Sequence, residues 1–199
     1  MKWIVGIDEV GRGPIAGPVS VCVFISEKTF NTSSIFPNQT IRDSKKTKKH
    51  IRNSLYTSIK QIRKSKLQKI DWVIVSRSAE YIDSYGIVSA IQACIEAGVK
   101  RLHTKGYDFN DAEVYLDGGL KLKKSHIMQE TIVKGDEKIG HIAIASILAK
   151  VYRDNYMTKL STAYPYFKWE SNAGYGTKDH YAALSKYGLT KYHRTTFIN

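Results

Sequence analysis

The chain has 199 residues, 42% of them apolar, which is enough for one domain with a substantial core or a domain plus a small appendage. Lys and Arg number 31 against 18 Asp and Glu, a formal charge of +13 and a pI of about 9.6, the balance of a protein that meets a polyanion, with nucleic acid the leading candidate. No stretch is long and apolar enough to span a bilayer, and Asp8 and Glu9 interrupt the only apolar run near the start, so neither membrane insertion nor a signal peptide is expected and a cytoplasmic location is.

In chain order, Trp3-Ile4-Val5-Gly6-Ile7 has strand composition and runs into Asp8-Glu9-Val10-Gly11-Arg12-Gly13-Pro14; a second strand-like run, Val19 to Ile25, follows Pro18. Asp8 is thus expected to leave a buried strand where the chain surfaces. After a Ser/Thr/Asn-rich loop, the basic cluster Arg42, Lys45, Lys46, Lys48, Lys49 and Arg52 opens a helix to about Arg63, with Ile51, Leu55, Ile59 and Ile62 at helical spacing, and its start is expected to face a polyanion. Trp72 to Val75 reads as a buried strand, and Ile87, Ala90, Ile91, Cys94, Ile95 and Gly98 mark an amphipathic helix. Val114-Tyr115-Leu116 ends at Asp117-Gly118-Gly119, and Thr131-Ile132-Val133 ends at Lys134-Gly135-Asp136. From Ile139 to Asp154 the chain is rich in Ala, Ile and Leu, and the small residues Ala145, Ser146 and Ala149 suit close packing of a helix on a sheet. Beyond Tyr164-Pro165 the composition turns aromatic and polar, through Gly174-Tyr175-Gly176-Thr177-Lys178 to His193-Arg194. Cys22 and Cys94 match neither a zinc pattern nor a disulfide framework and are read as reduced core residues.

Strand and helix alternate, so the expected class is α/β. Asp8, Asp117 and Asp136 each follow an apolar strand beside glycine, and in such a domain strand ends can converge on one edge of the sheet. Neighbouring carboxylates repel and are costly to keep ionised near a core unless a cation neutralises them, and Mg²⁺ or Mn²⁺ prefers such oxygen ligands. An acidic cleft in a chain of charge +13 suits metal-assisted phosphoryl transfer. Gly11 and Gly13 would let backbone N–H groups approach a ligand, Arg12 offers a planar fork for phosphate, and Tyr175 could stack on a base or sugar. Each feature alone also reads as a turn; together they are less easily dismissed.

Asp8 to Pro14, Asp43-Ser44-Lys45-Lys46, Lys134-Gly135-Asp136, Ala145 to Lys150, Gly174 to Lys178 and His193-Arg194 together resemble bacterial ribonuclease HII, the type 2 ribonuclease H, over essentially the whole chain. The resemblance implies a ribonuclease H-like fold, a mixed five-stranded sheet flanked by helices, as a single catalytic domain over residues 1–199 whose part from about residue 160 onward is a helical substrate-binding appendage. It implies an endoribonuclease that hydrolyses the RNA strand of RNA/DNA hybrids and incises 5′ of single ribonucleotides in duplex DNA, leaving 5′-phosphate and 3′-hydroxyl ends, in ribonucleotide and RNA primer removal. By the same resemblance Asp8, Glu9, Asp117 and Asp136 hold two Mg²⁺ or Mn²⁺ ions, with Asp8 bridging, Asp136 on the water side, and Glu9 and Asp117 on the leaving-group side. Gly11, Arg12 and Gly13 read the ribonucleotide, Tyr175 packs on the next sugar, Lys45 and Lys46 contact phosphates, and the protein works as a monomer. Gly118-Gly119 stands where the family more often has Gly-Asn, and Gly140-His141 where a Ser is usual. The chain stops soon after Phe197, without a long tail that could bind a sliding clamp. Two other classes compete: another nuclease or recombinase on the same fold, which would not need the Gly-Arg-Gly and Gly-Tyr-Gly loops together, and a non-catalytic basic binder, which gives the carboxylates no task.

Overall fold

Strands β1 (Trp3–Val10), β2 (Val19–Glu27), β3 (Ile70–Arg77), β4 (Ala112–Asp117) and β5 (Gln129–Ile132) make one sheet in the order β3-β2-β1-β4-β5 in a computed structural model that describes residues 1–36, 47–123 and 126–198. β1, β2 and β3 pair antiparallel, while β1, β4 and β5 run parallel, so the sheet is mixed and the carboxyl ends of three strands reach one edge. Helices α1 (Lys49–Ser65), α2 (Ala79–Tyr85), α3 (Ile87–Thr104), α4 (Gly140–Ala163), α5 (Trp169–Asn172) and α6 (Lys178–Tyr187) complete the described secondary structure, apart from short 3-10 turns. A mixed five-stranded sheet flanked by helices is the architecture the resemblance implies.

The apolar run of β2 is continuous because both faces of that strand are buried. Val19, Val21, Val23 and Ile25 pack with Ala90, Ile91, Cys94 and Ile95 of α3. On the opposite face Cys22 and Phe24 meet Leu55 and Ile59 of α1 and Ala143, Ile144 and Ile147 of α4. Both cysteines are buried and free, as expected. α4 lies so close to β1 that a methyl group on Gly6 would overlap the backbone carbonyl of His141, so glycine is required there.

A third cluster, built from Ala16, Met157, Phe167, Trp169 and Ala183, joins the far half of α4 to the C-terminal segment. Phe167 and Trp169 stack with ring centroids 5.0 Å apart. Expectation and structure differ at several element ends. β1 continues to Val10, because pairing with β2 persists to Val10 and Ser20, so Asp8 lies inside the strand and not at its end. Pairing with β4, however, stops at Ile7 and Leu116, which frees Asp8 on that side. Asp136 lies in a 3-10 turn, Gly135–Glu137, and not directly on a strand end. α4 runs to Ala163, well past Asp154; its last turns bury only Met157 and Ser161, too sparse an apolar stripe to read from sequence. The short α2 was not anticipated; its start is capped by the Ser78 hydroxyl, which accepts the Tyr81 N–H at 3.2 Å. Arg42, Lys45 and Lys46 lie outside the described residues. Among the described residues, no helix is long and apolar enough to cross a membrane.

Candidate active site

Asp8 and Asp117 each follow the last residues paired between β1 and β4, so strand register alone sets them side by side at the sheet edge. The Asp8 side chain is buried, its Oδ1 accepts the Glu9 N–H at 2.7 Å, and the Ser146 hydroxyl on α4 donates to it. Burial pushes the Asp8 carboxyl well above the usual carboxylate range. The negative charges of Glu9 and Asp117 push the same way, against the hydrogen bonds from Ser146 and the Glu9 amide. That Asp8 responds to Asp117 places the two strand ends within electrostatic reach of each other.

Asp117 Oδ1 accepts the Gly135 N–H at 2.7 Å. This bond ties the end of β4 to the turn that carries Asp136, itself buried. Glu9 faces the exposed Arg12 guanidinium, 3.6 Å away. Asp8 thus feels the charges of its neighbour Glu9 and of Asp117, and Asp136 follows Gly135, whose amide donates to Asp117. Among the described residues, no group of three or more His, Cys, Asp or Glu side chains is placed to hold a metal ion. None of the four carboxylates lines the cavity of about 680 Å³ bordered by α3 and by Leu122, Lys123, His126 and Ile127. An edge open to a long substrate fits these residues better than a pocket for a small one.

The Gly-Arg-Gly loop and the Gly-Tyr-Gly loop come together from opposite ends of the chain. Ile15 and Ala16 both donate their N–H groups to the Gly174 carbonyl, at 3.0 and 3.1 Å. A Cβ placed on Gly13 would lie 3.8 Å from Tyr175 Cε1, and the Tyr175 ring is 48% exposed. Arg12, Gly13 and Tyr175 thus border one surface, while Gly11 is buried beneath it against Arg153.

Two residues that hold this surface had no signal in the sequence or only a silent one. Arg153, in the polar stretch Lys150 to Asn155 of α4, is fully buried and donates to the carbonyls of Pro18 (2.8 Å), Ala173 (2.8 Å) and Ala16 (3.1 Å). Arg194, half of a motif noted without a role, donates to the carbonyls of Gly11 (2.6 Å), Arg12 (3.0 Å) and Gly17 (2.8 Å). Burial lowers the Arg194 pKa to about 9, with the nearby Arg153 charge acting the same way. Ser146, read as a small packing residue, also serves Asp8. Arg52, expected to face a polyanion, turns inward instead: it is buried, 3.4 Å from Asp154 Oδ2.

A buried histidine pair completes the far side. His180 Nδ1 lies 2.8 Å from the Tyr175 carbonyl, so this nitrogen is the donor and Nε2 is left to accept the Trp169 indole N–H at 3.1 Å. His193 Nδ1 accepts the Thr190 N–H at 3.0 Å and its Nε2 faces His180 Nε2 at 3.1 Å. Both rings are satisfied only when neutral.

The family model for ribonuclease HII matches residues 5–199. The chain is 37% identical over 196 residues to a ribonuclease HII of Macrococcus caseolyticus, covering 98% of this chain and 67% of the relative. It is 35% identical over 197 residues to one from Pelagibacter ubique, covering 99% and 96%. Among solved structures, the PCNA:RNase HII complex from Archaeoglobus fulgidus aligns with a TM-score of 0.72 at 19% identity, covering 98% of this chain and 94% of that one.

Proposed function

The chain belongs to the ribonuclease HII family, divalent-metal-dependent endoribonucleases that cleave RNA in RNA/DNA hybrids, and from that premise we propose that it also incises 5′ of single ribonucleotides in duplex DNA, leaving 5′-phosphate and 3′-hydroxyl ends. The observation that carries this reading is the adjacency of the carboxylate edge and the loop pair: Glu9 is joined to Arg12 by an ion pair, and the loop of Arg12 meets Tyr175.

Asp8, Glu9, Asp117 and Asp136 would hold two Mg²⁺ or Mn²⁺ ions. The donor set fits, since it is all carboxylate oxygen, and a cation would offset the burial and the repulsion that together raise Asp8. Bound ions supply an activated water and charge stabilisation at the leaving oxygen. The protein's own residues do the rest. The Ser146 hydroxyl and the Glu9 amide orient the Asp8 carboxylate, and the Gly135 amide orients Asp117. Backbone from Gly11 to Gly13 engages the 2′-OH that distinguishes RNA from DNA, and Tyr175 packs on the following sugar, where a second 2′-OH would be disfavoured. Lys45 and Lys46 would contact phosphates, adding affinity and salt dependence more than selectivity. The segment from about residue 160 onward would close over a duplex as the substrate-binding appendage of a monomer acting in ribonucleotide and primer removal in the cytoplasm.

The test is cleavage of a labelled DNA duplex carrying one ribonucleotide, beside an all-DNA duplex, with Mg²⁺ or Mn²⁺ and with Asp8→Asn as control. Incision on the 5′ side of the ribonucleotide by the wild type is expected, with a loss of about 10²-fold to 10³-fold or more in Asp8→Asn, the scale on which removing one preorganised catalytic group acts. Cutting of the all-DNA duplex would instead indicate a general nuclease, and binding without cutting a non-catalytic binder.

A further inference from the structure

Two buried guanidiniums beside each other are an unusual thing to build, because each charge must leave water. Here their partners are backbone carbonyls, and those carbonyls belong to the loops that border the proposed sugar-reading surface. Arg194 takes the oxygens of Gly11, Arg12 and Gly17, and its guanidinium also lies 5.2 Å from the Phe197 ring centroid. Arg153 takes Ala16 and Pro18 on the same loop and Ala173 beside Gly174-Tyr175. Gly11 has φ +84°, and a methyl group on it would overlap Arg153 Nε, so the loop is shaped to receive the clamp.

The direction of these bonds matters more than their number. A trans peptide points its C=O and its N–H in opposite directions, and the described chain has no cis peptide. With the carbonyls of Gly11 and Arg12 drawn inward to Arg194, the N–H groups of the same two peptide planes, those of Arg12 and Gly13, face away from the clamp. Reversing either plane would aim a carbonyl outward and an N–H at a cation.

We infer that Arg194, with Arg153, is a positioning residue for substrate discrimination: it turns the Arg12 and Gly13 amides outward as a preformed donor pair and holds them in register with Tyr175. The inference rests on the reading of the two loops proposed above and adds the element that sets their geometry. The histidine pair continues the same linkage. His193 directly precedes Arg194, and its neighbour His180 donates to the Tyr175 carbonyl, so movement at one loop is transmitted to the other.

The experiment compares kcat/KM on a DNA duplex with one ribonucleotide and on a continuous RNA/DNA hybrid, for wild type, Tyr175→Ala, Arg194→Lys and Arg194→Ala. A merely structural loss would lower both values together and leave their ratio unchanged. Arg194→Lys, which keeps the charge but not the fork, is expected to lower the ratio about tenfold, the scale of one charge-assisted hydrogen bond, because the loop loses register with Tyr175. Loss of the amide contact to the 2′-OH, common to both substrates, lowers both values alike. The change should appear in KM for the single-ribonucleotide duplex, with Arg194→Ala worse than Lys. If Tyr175→Ala lowers the ratio while both Arg194 variants retain it, the positioning role is overturned and the loop reading stands. If Tyr175→Ala leaves the ratio unchanged, the loop reading itself falls and this inference with it. Should the Arg194 variants not fold, the amide resonances of Arg12 and Gly13 decide. They are measured in Asp8→Asn protein bound to duplexes that differ only in one 2′-OH: a shift at both supports the inference, and identical spectra overturn it.

Discussion

At the carboxylate edge, position comes from strand register. Asp8 and Asp117 follow the last parallel pair, Ile7 and Leu116, and an apolar core behind them holds the sheet flat against α4. At the facing loops there is little strand pairing, a single bridge between Ala16 and His193, and the same task falls to Arg153, Arg194, His180 and His193, all buried and hydrogen-bonded. The first arrangement draws its rigidity from repeated strand pairing, although it buries Asp8 and Asp136. The second places a few costly polar groups where no regular element could go, so each of its members carries more of the result.

This contrast can be broken from either side. Trp169→Ala removes a fully buried ring that stacks on Phe167 and donates to His180. It should lower stability by about 3–5 kcal/mol, read as a fall in melting temperature, with the loss of junction preference exceeding the loss of hybrid cleavage in whatever protein remains folded. Gly6→Ala attacks the sheet side, where the added methyl meets the His141 backbone. A cost of about 3 kcal/mol is expected, and because α4 also carries Ser146, activity on both substrates should fall together.

Acid should weaken both regions more gently, through His193 at the loops and His141 at the sheet. Burial lowers the pKa of His193 to about 4, aided by the neighbouring His180, and burial lowers His141 to about 4. Both are neutral in the fold, so below about pH 6.5 the unfolded chain binds protons that the folded chain does not. Stability from these residues is therefore complete above about pH 6.5 and is lost as pH falls toward 4. Denaturant midpoints measured down that range should decline, and His193→Gln should flatten part of the slope. If the slope is unchanged, the imidazole network does not contribute in this way. The smallest effect is expected at Asp83, whose carboxylate accepts N–H and hydroxyl bonds from Thr195 and Thr196 at 2.6 to 3.1 Å and so straps the chain end to α2. Asp83→Ala should cost about 1 kcal/mol in chemical denaturation, with a smaller effect on junction preference than Arg194→Lys.

The same contrast decides what could be read from residues alone. β1 to β4 announce themselves through apolar runs, and α1, α3 and the first half of α4 through helical spacing. β5, expected as the apolar run Thr131 to Val133, instead spans Gln129–Ile132 with no buried residue and leaves Val133 exposed. Asp8 and Asp117 are legible because apolar runs end beside them. Register then does what the alternating pattern promises. Arg153 could not be found this way, since an Arg beside Lys150, Asp154 and Asn155 on a helix looks like part of a solvated face. Arg194 stood in a noted motif, yet its partners are carbonyls at the other end of the chain, and carbonyls leave no mark in a sequence. Arg52 misled for the same reason: membership in a basic run says nothing about an inward-facing Asp154.

α4 touches both regions, with Ser146 at the carboxylate edge and Arg153 at the loop clamp. Seven residues separate them, a little under two full turns and roughly 10 Å of rise. The spacing between the proposed cleavage edge and the proposed sugar-reading loops is thus set by a helical pitch, as on a ruler with two marks. A single residue inserted between the marks would swing Arg153 by about 100° around the axis and disconnect the clamp, while additions before Gly140 or after Ala163 would leave the spacing intact. Length variation along this chain should accordingly be tolerated in its loops and refused within these two turns.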